Sequence, residues 1–378
     1  MYSDKLWLET PLIKSVHISS LLGCNAYLKF ETLQPPQSFK ARGISHFARH
    51  AVRTHGPGVH LIIASSGNAG LAAAWAAKAL GVKCTVYLPH GASQSTIDFM
   101  RKDGADVVVA GSYYLEAYRR AKQSVEADPS AVLVPSYNDP VLWDGHASLI
   151  HEIRQQLPDG TTPDAIFCSA GGGGLAGGIM TGCKAVGWDH VPVVTAETHG
   201  SNCFYQSLSL NDGPFVGIAE SRKISEGTTA QHDQEHDVTV AHLDKLTSRA
   251  TSLGATSPSA AVVKMALQRA GGIKSVCVSD EMTMQACLSF AEDHKTLVEL
   301  ACAVTLTPAY NPTLFRALVP PSDKPATVVF VLCGGFKISL QDLKEYERIV
   351  EAELAAGGEW DIALNGQKFT IPKAGWDR

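Results

Sequence analysis

Lys40 lies in the run PPQSFKARGISHF (35–47), after Ser-Phe and before Ala-Arg-Gly, at what reads as a helix start. A lysine on an amphipathic helix normally points into water. In a partly desolvated site, however, it can be neutral and nucleophilic. Two small-residue loops could complete such a site. SSGNAG (65–70) closes the apolar run VHLIIA and opens an Ala-rich helical stretch; SAGGGGLAGGIMTG (169–182) closes DAIFC and opens another helix. Loops at the carboxyl ends of parallel strands are where ligands bind. The first could equally be an ordinary N-cap by Ser or Asn, and the second a tight turn. Four consecutive glycines nevertheless carry an entropic cost that packing alone seldom offsets. Their amides can crowd an anion, helped by the positive end of the following helix, so a phosphate is the natural ligand.

Which phosphate is left open by the loop itself. Gly172-x-Gly174-x-x-Gly177 matches the dinucleotide fingerprint, and Glu197 ends the next strand at about the spacing of a ribose contact. An NAD-dependent dehydrogenase is therefore one reading. Against it, the match sits mid-chain, and the glycine run exceeds what the fingerprint asks for.

The elements that must position these residues alternate. VHLIIASS, KCTVYLP, DVVVAG, AVLVPSY, DAIFCSA, VPVVTAE and TVVFVLCGG read as strands separated by helical stretches. That rhythm predicts an α/β protein with mainly parallel sheets and helices on both faces. The stretch 211–240 is polar and aperiodic and reads as a surface insertion. In the tail, EWDIALNGQKFTIP places Asn-Gly between two alternating runs, a type I′ hairpin signal. With 378 residues the chain can fill two domains. A net charge of −5 without like-charge blocks speaks against nucleic acid or a membrane surface as partner. No apolar run approaches the roughly 18 residues of a membrane span, and MYSDKLWLETPLIKS lacks signal or transit character. Nine cysteines without a C-x-x-C pair predict free thiols in a reducing compartment, by default the cytoplasm.

Taken in order, SFKARG, SSGNAG, SAGGGGLAGG and VLCGG resemble the serine/threonine dehydratase family, pyridoxal-phosphate (PLP) enzymes of the tryptophan-synthase-β-like fold, and most of all the eukaryotic L-serine dehydratases. DPVLWDGHASL (139–149) and KTLVELACAVTL (295–306) read as family segments too. The resemblance covers about residues 5–350 apart from the insertion. It implies fold type II, with a large PLP-binding domain from 1–43 and 142–355, a small substrate-side domain 44–141, and a tail 356–378. No separate regulatory domain is expected after the core, unlike the allosteric threonine deaminases.

The resemblance also implies roles. Lys40 would hold PLP as a Schiff base and then remove the substrate α-proton, with Phe39 near the ring. Gly171, Gly172, Gly173, Gly174 and Leu175 would cradle the phosphate. Asn68 would bond the phenolic oxygen, and Cys333 would face the pyridine nitrogen as a neutral thiol. Ser65, Ser66, Gly67, Asn68 and Ala69 would hold the substrate. L-Serine would give pyruvate and ammonia, and L-threonine 2-oxobutyrate, in a homodimeric enzyme. Racemases of this fold use a serine at the position of Ser66 as acid/base opposite the lysine, which makes a serine racemase the same-fold alternative. A K⁺ site maps to Glu197, Ser201, Leu253 and Ala255. Cys203 departs from the family there, since a soft sulfur suits a hard cation poorly. Phe336 and Lys337 depart as well, standing where smaller polar residues are usual.

Overall fold

The computed structural model describes residues 5–213 and 224–373. Eight strands form the larger sheet, in the spatial order Leu12–Lys14, Asn25–Phe30, Thr327–Leu332, Ala165–Ser169, Val193–Thr198, Ile273–Val278, Glu359–Leu364 and Gln367–Pro372. The five from Asn25–Phe30 to Ile273–Val278 are mutually parallel, and the outer ones run antiparallel. A smaller, wholly parallel sheet has the order Asp106–Val109, Lys83–Leu88, His60–Ala64, Ala131–Leu133. Central strands such as Ala165–Ser169 and His60–Ala64 are buried at every position, which is why they read as unbroken apolar runs rather than alternating ones. The α/β architecture expected from the sequence is the one observed.

Helices reach the strand ends through defined caps. Pro140–Gln156 starts on the Asp139 side chain, which accepts from the Val141 amide at 2.8 Å, with proline in the first turn where its missing N–H costs nothing. It packs against Gly174–Ala185 so closely that a Cβ on Gly178 would lie 2.2 Å from His146 Cβ. Beneath the helix Lys40–His55 runs a buried ionic cluster. Arg42 meets Glu31 at 2.7 Å and Glu152 at 2.6 Å, and Lys29 meets Glu152 at 2.7 Å. Burial alone would raise the Glu152 carboxyl, but Arg42 and Lys29 hold it below its usual range.

One strand is shorter than its apolar run, and one insertion holds more order than its polarity suggests. The run AVLVPSY is strand only over Ala131–Leu133, and Pro135 turns Ser136 and Tyr137 away toward the other sheet. The 211–240 stretch reads in sequence as a polar, aperiodic surface insertion; residues 214–223 lie outside the described residues, and Thr228–Asp233, mostly exposed, forms an antiparallel ribbon with Val238–Leu243. Val238, Val240 and Leu243 are buried, and Asn211 ties to Thr239 through both backbone groups. The tail hairpin follows its Asn-Gly signal. Asn365 and Gly366 both take positive φ, 49° and 80°, as a type I′ turn requires. The hairpin extends the large sheet by pairing Val276 with Leu364. No helix among the described residues is long and apolar enough to cross a membrane.

Candidate active site

Lys40 opens the helix Lys40–His55, and the segment before it is pinned to the end of the strand Thr327–Leu332. The Phe39 amide donates to the Cys333 carbonyl at 2.9 Å, the Gly335 amide donates to the Gln37 carbonyl at 2.8 Å, and Ser38 bridges Gly334. Gly334 must be glycine here, with φ of 80° and a would-be Cβ 2.4 Å from the Gln37 oxygen. The Lys40 amine donates to the Ser136 carbonyl and lies 5.2 Å from the centroid of the Phe39 ring. Burial lowers its pKa from the ordinary lysine value to about 8, against a smaller upward pull from Cys333. Desolvation favours the neutral amine, so roughly a tenth of it is unprotonated at pH 7.

The glycine loop follows Ala165–Ser169 and leads into the helix Gly174–Ala185. A Cβ on Gly172 would meet the Tyr137 ring at 2.4 Å, one on Gly174 Tyr137 Cβ at 3.0 Å, and one on Gly171 the Leu253 carbonyl at 2.9 Å. Gly173 takes φ of 92°. Neighbouring chain therefore presses close on the outer side of the loop, and side chains are excluded there. Tyr137 is held in place by its own hydroxyl, which donates to the Ser257 carbonyl at 3.0 Å.

The second loop, Ser65–Ala69, leaves the strand His60–Ala64 and starts the helix Asn68–Leu80. Asn68 is fixed at both ends of its amide. It donates to Glu299 at 2.8 Å and accepts from the Phe336 amide at 3.0 Å, with Ser252 Oγ at 3.4 Å. Glu299 is almost wholly buried, which raises its pKa, while Lys337 and these hydrogen bonds oppose the rise. Cys333 is buried; Ser169 Oγ donates to its sulfur at 3.5 Å, and the Ala301 carbonyl lies 3.8 Å away.

These contacts close a circuit. Lys40 touches Ser136, whose neighbour Tyr137 covers Gly172; Gly171 abuts Leu253; Ser252 reaches Asn68; Asn68 holds Glu299; and Cys333 bonds back to Phe39. Lys40, the Ser65–Ala69 loop, the Gly171–Leu175 loop and Cys333, singled out by type and spacing, are thus joined by a handful of contacts. Glu299, Ser169 and Tyr137 escaped the sequence reading. Glu299 lies inside the segment KTLVELACAVTL, where a lone acid ahead of an apolar run was the available signal.

The residues mapped to a cation are engaged elsewhere in part. The Glu197 carboxylate accepts from the Phe204 and Tyr205 amides at 3.0 and 2.7 Å, and its burial raises its pKa well above the carboxylate range. Ser201 bridges Thr198, and the Ala255 amide donates to the Leu253 carbonyl at 2.7 Å. Cys203 points its thiol at the Gly171 carbonyl, 3.5 Å away. Among the described residues no cluster of three or more His, Cys, Asp or Glu side chains is arranged to hold a metal. With its oxygens on two helix amides, Glu197 is also not free for a ribose.

Comparison with known proteins gives a consistent picture. The family model for "Pyridoxal-phosphate dependent enzyme" matches residues 4–334. Human L-serine dehydratase/L-threonine deaminase is 33% identical over 91% of this chain and 95% of its own length. The mouse serine dehydratase-like protein is 35% identical over 89% and 92%. A solved structure, the fungal L-serine ammonia-lyase of Rhizomucor miehei, superposes with a TM-score of 0.78 at 31% identity, over 91% of this chain and 98% of that one.

Proposed function

Because the chain belongs to the pyridoxal-phosphate-dependent enzyme family, we propose that it removes water from L-serine, and by the same route from L-threonine, releasing ammonia with pyruvate or 2-oxobutyrate. The observation that carries this reading is the partly neutral Lys40 amine in one contact circuit with the glycine loop, in a chain this similar to serine dehydratases. Family membership sets aside the dinucleotide alternative raised by Gly172-x-Gly174-x-x-Gly177.

The residues fit the cofactor. The amine is buried enough to be partly neutral, the glycine loop excludes side chains beside a helix start, and a thiol is held between Ser169 and the backbone. Gly171, Gly172, Gly173, Gly174 and Leu175 would hold the phosphate through their amides. Asn68, oriented by Glu299, would donate to the phenolic oxygen, and Phe39 would flank the ring. Cys333 would face the pyridine nitrogen without charging it. When bound, the cofactor supplies an electron sink for the charge left at the substrate Cα.

Lys40 would hold the cofactor through its amine, and that amine, when free, would accept the substrate α-proton. The amides and hydroxyls of Ser65, Ser66, Gly67, Asn68 and Ala69 would fix the carboxylate, which orients the Cα–H bond toward that amine. The β-hydroxyl would leave Cβ with a proton, so that the α-hydrogen and the hydroxyl depart overall as one water, and the released enamine takes up water in solvent to give the keto acid and ammonia. Ser66 adds a hydroxyl on the opposite face, from which a proton could return to Cα; slow D-serine formation would be its signature. Our reading extends to a homodimer in the cytoplasm, in keeping with nine free cysteines. It also takes 44–141 as the substrate-side domain and 1–43 with 142–355 as the cofactor-side domain, with K⁺ near Glu197, Ser201, Leu253 and Ala255.

The purified protein should be yellow and release pyruvate from L-serine. Borohydride should bleach it and leave the reduced cofactor on the peptide containing Lys40, and Lys40→Ala should abolish both colour and turnover. A folded Lys40→Ala protein that keeps near-normal pyruvate release would overturn the assignment.

A further inference from the structure

Lys337 follows the Cys333-Gly334-Gly335 turn and Phe336, and its backbone is fixed on both sides. The Phe336 amide donates to Asn68 Oδ1 at 3.0 Å, and the Lys337 amide donates to Glu299 Oε2 at 3.2 Å. The Phe336 ring packs edge-on against Phe99, with centroids 4.6 Å apart. With its base so held, the side chain folds over the loop Ser65–Ala69. A Cβ built on Gly67 would lie 2.7 Å from Lys337 Cε and 3.1 Å from its amine nitrogen. The amine donates to Thr251 Oγ1 at 3.2 Å, and among the described residues no carboxylate lies within ion-pair distance of it.

Ordering a lysine side chain gives up rotamer freedom, and a single bond to a neutral hydroxyl offsets only part of that loss. Among the described residues, the carboxylate touching this segment is Glu299, which is taken up by Asn68 and by the Lys337 amide. A half-buried cation held against a binding loop, which Glu299 attracts from beyond ion-pair distance while its oxygens bond Asn68 and the Lys337 amide, keeps its amine open to an anion from outside. Glycine at 67 leaves the room for it: any side chain there would displace the amine.

We propose that Lys337 is a substrate-binding residue whose ammonium pairs with the α-carboxylate of the amino acid held on the Ser65–Ala69 loop. This rests on the assignment of that loop to the substrate carboxylate. A loop of neutral amides and hydroxyls is thereby joined by a charge-assisted contact. Because the same contact exists before and during Cα–H cleavage, it lowers the half-saturating substrate concentration and leaves the turnover number alone.

The test uses holoenzyme and two amines, followed by the change in cofactor absorbance. L-Alanine carries the carboxylate but no leaving group; ethanolamine lacks the carboxylate. Lys337→Met should weaken L-alanine binding about tenfold, the loss expected for one charge-assisted hydrogen bond. It should leave ethanolamine binding within about twofold, and Lys337→Arg should recover most of the difference. With L-serine, KM should rise by the same factor at nearly constant kcat. Unchanged L-alanine affinity in Lys337→Met, or equal weakening of both ligands, overturns the proposal. The binding arm does not depend on elimination. A wild-type protein that binds L-alanine through Lys337 yet makes no pyruvate overturns the proposed activity alone.

Discussion

The lowered pKa of Lys40 has a direct kinetic consequence for cofactor capture. Only the unprotonated amine can attack the aldehyde of pyridoxal phosphate. With a pKa of about 8, set chiefly by burial, the reactive fraction is roughly 9% at pH 7, 50% at pH 8 and 91% at pH 9. An ordinary lysine near 10.4 would offer about 0.04% at pH 7 and gain tenfold with each further pH unit to 9. Apoenzyme mixed with a fixed excess of cofactor, followed by stopped-flow absorbance, should therefore speed up about tenfold from pH 7 and level off by about pH 9. The sign follows from the cause: burial penalises the ammonium, so the proton leaves at lower pH than in water. A rate that climbs about a hundredfold between pH 7 and 9 without levelling would refute the desolvated amine.

Glu152→Ala would leave Arg42 and Lys29 charged and buried without their shared partner. The expected loss is about 3–5 kcal/mol, seen as a urea midpoint lower by about 1–2.5 M for a slope of roughly 2–3 kcal/mol/M. Since the folded state holds the Glu152 carboxyl below its usual pKa, its stabilisation is complete above the ordinary carboxyl range and fades as pH falls through the lower folded value. The midpoints of wild type and variant should converge in acid; a shift under about 0.3 M at pH 7 would refute the cluster's role. At Cys333, a serine should preserve pyruvate production, because a neutral partner still meets the ring nitrogen. An aspartate should raise the share of cofactor lost to side reactions by favouring a protonated ring, and equal product partition in the two variants would remove that argument.

Much of the site was legible because its residues sit in short local patterns. Lys40 at a helix start and two small-residue loops at strand ends are visible in windows of a few residues, and the strand–helix alternation fixed where they would converge. The tail hairpin was equally local, since Asn-Gly demands a backbone that few other pairs adopt. What stayed hidden depends on distant approach. Glu299 matters because Asn68, which opens the helix after a strand of the smaller sheet, lies 2.8 Å from it, and Tyr137 because it covers a glycine loop that follows a strand of the larger sheet. The ribbon Val238–Leu243 was missed for a different reason: its alternation of Val238, Thr239 and Val240 was masked by the polar residues around it, although the period-two signal was present.

The position of the strand Thr327–Leu332 bears on how the protein is made. It lies between Asn25–Phe30 and Ala165–Ser169 and is bonded to both, so two strands are joined by a segment that follows both of them in the chain. Until residues 327–332 have emerged from the ribosome, the two flanking strands, both earlier in the chain, lack the neighbour that joins them. Only when residues 327–335 emerge can Gly334 bridge Ser38 and Cys333 accept from Phe39, bringing Lys40 to its post. Cofactor capture should thus be a late, nearly all-or-none event in biosynthesis, preceded by an interval in which the exposed edges are vulnerable to aggregation and chaperones have something to hold.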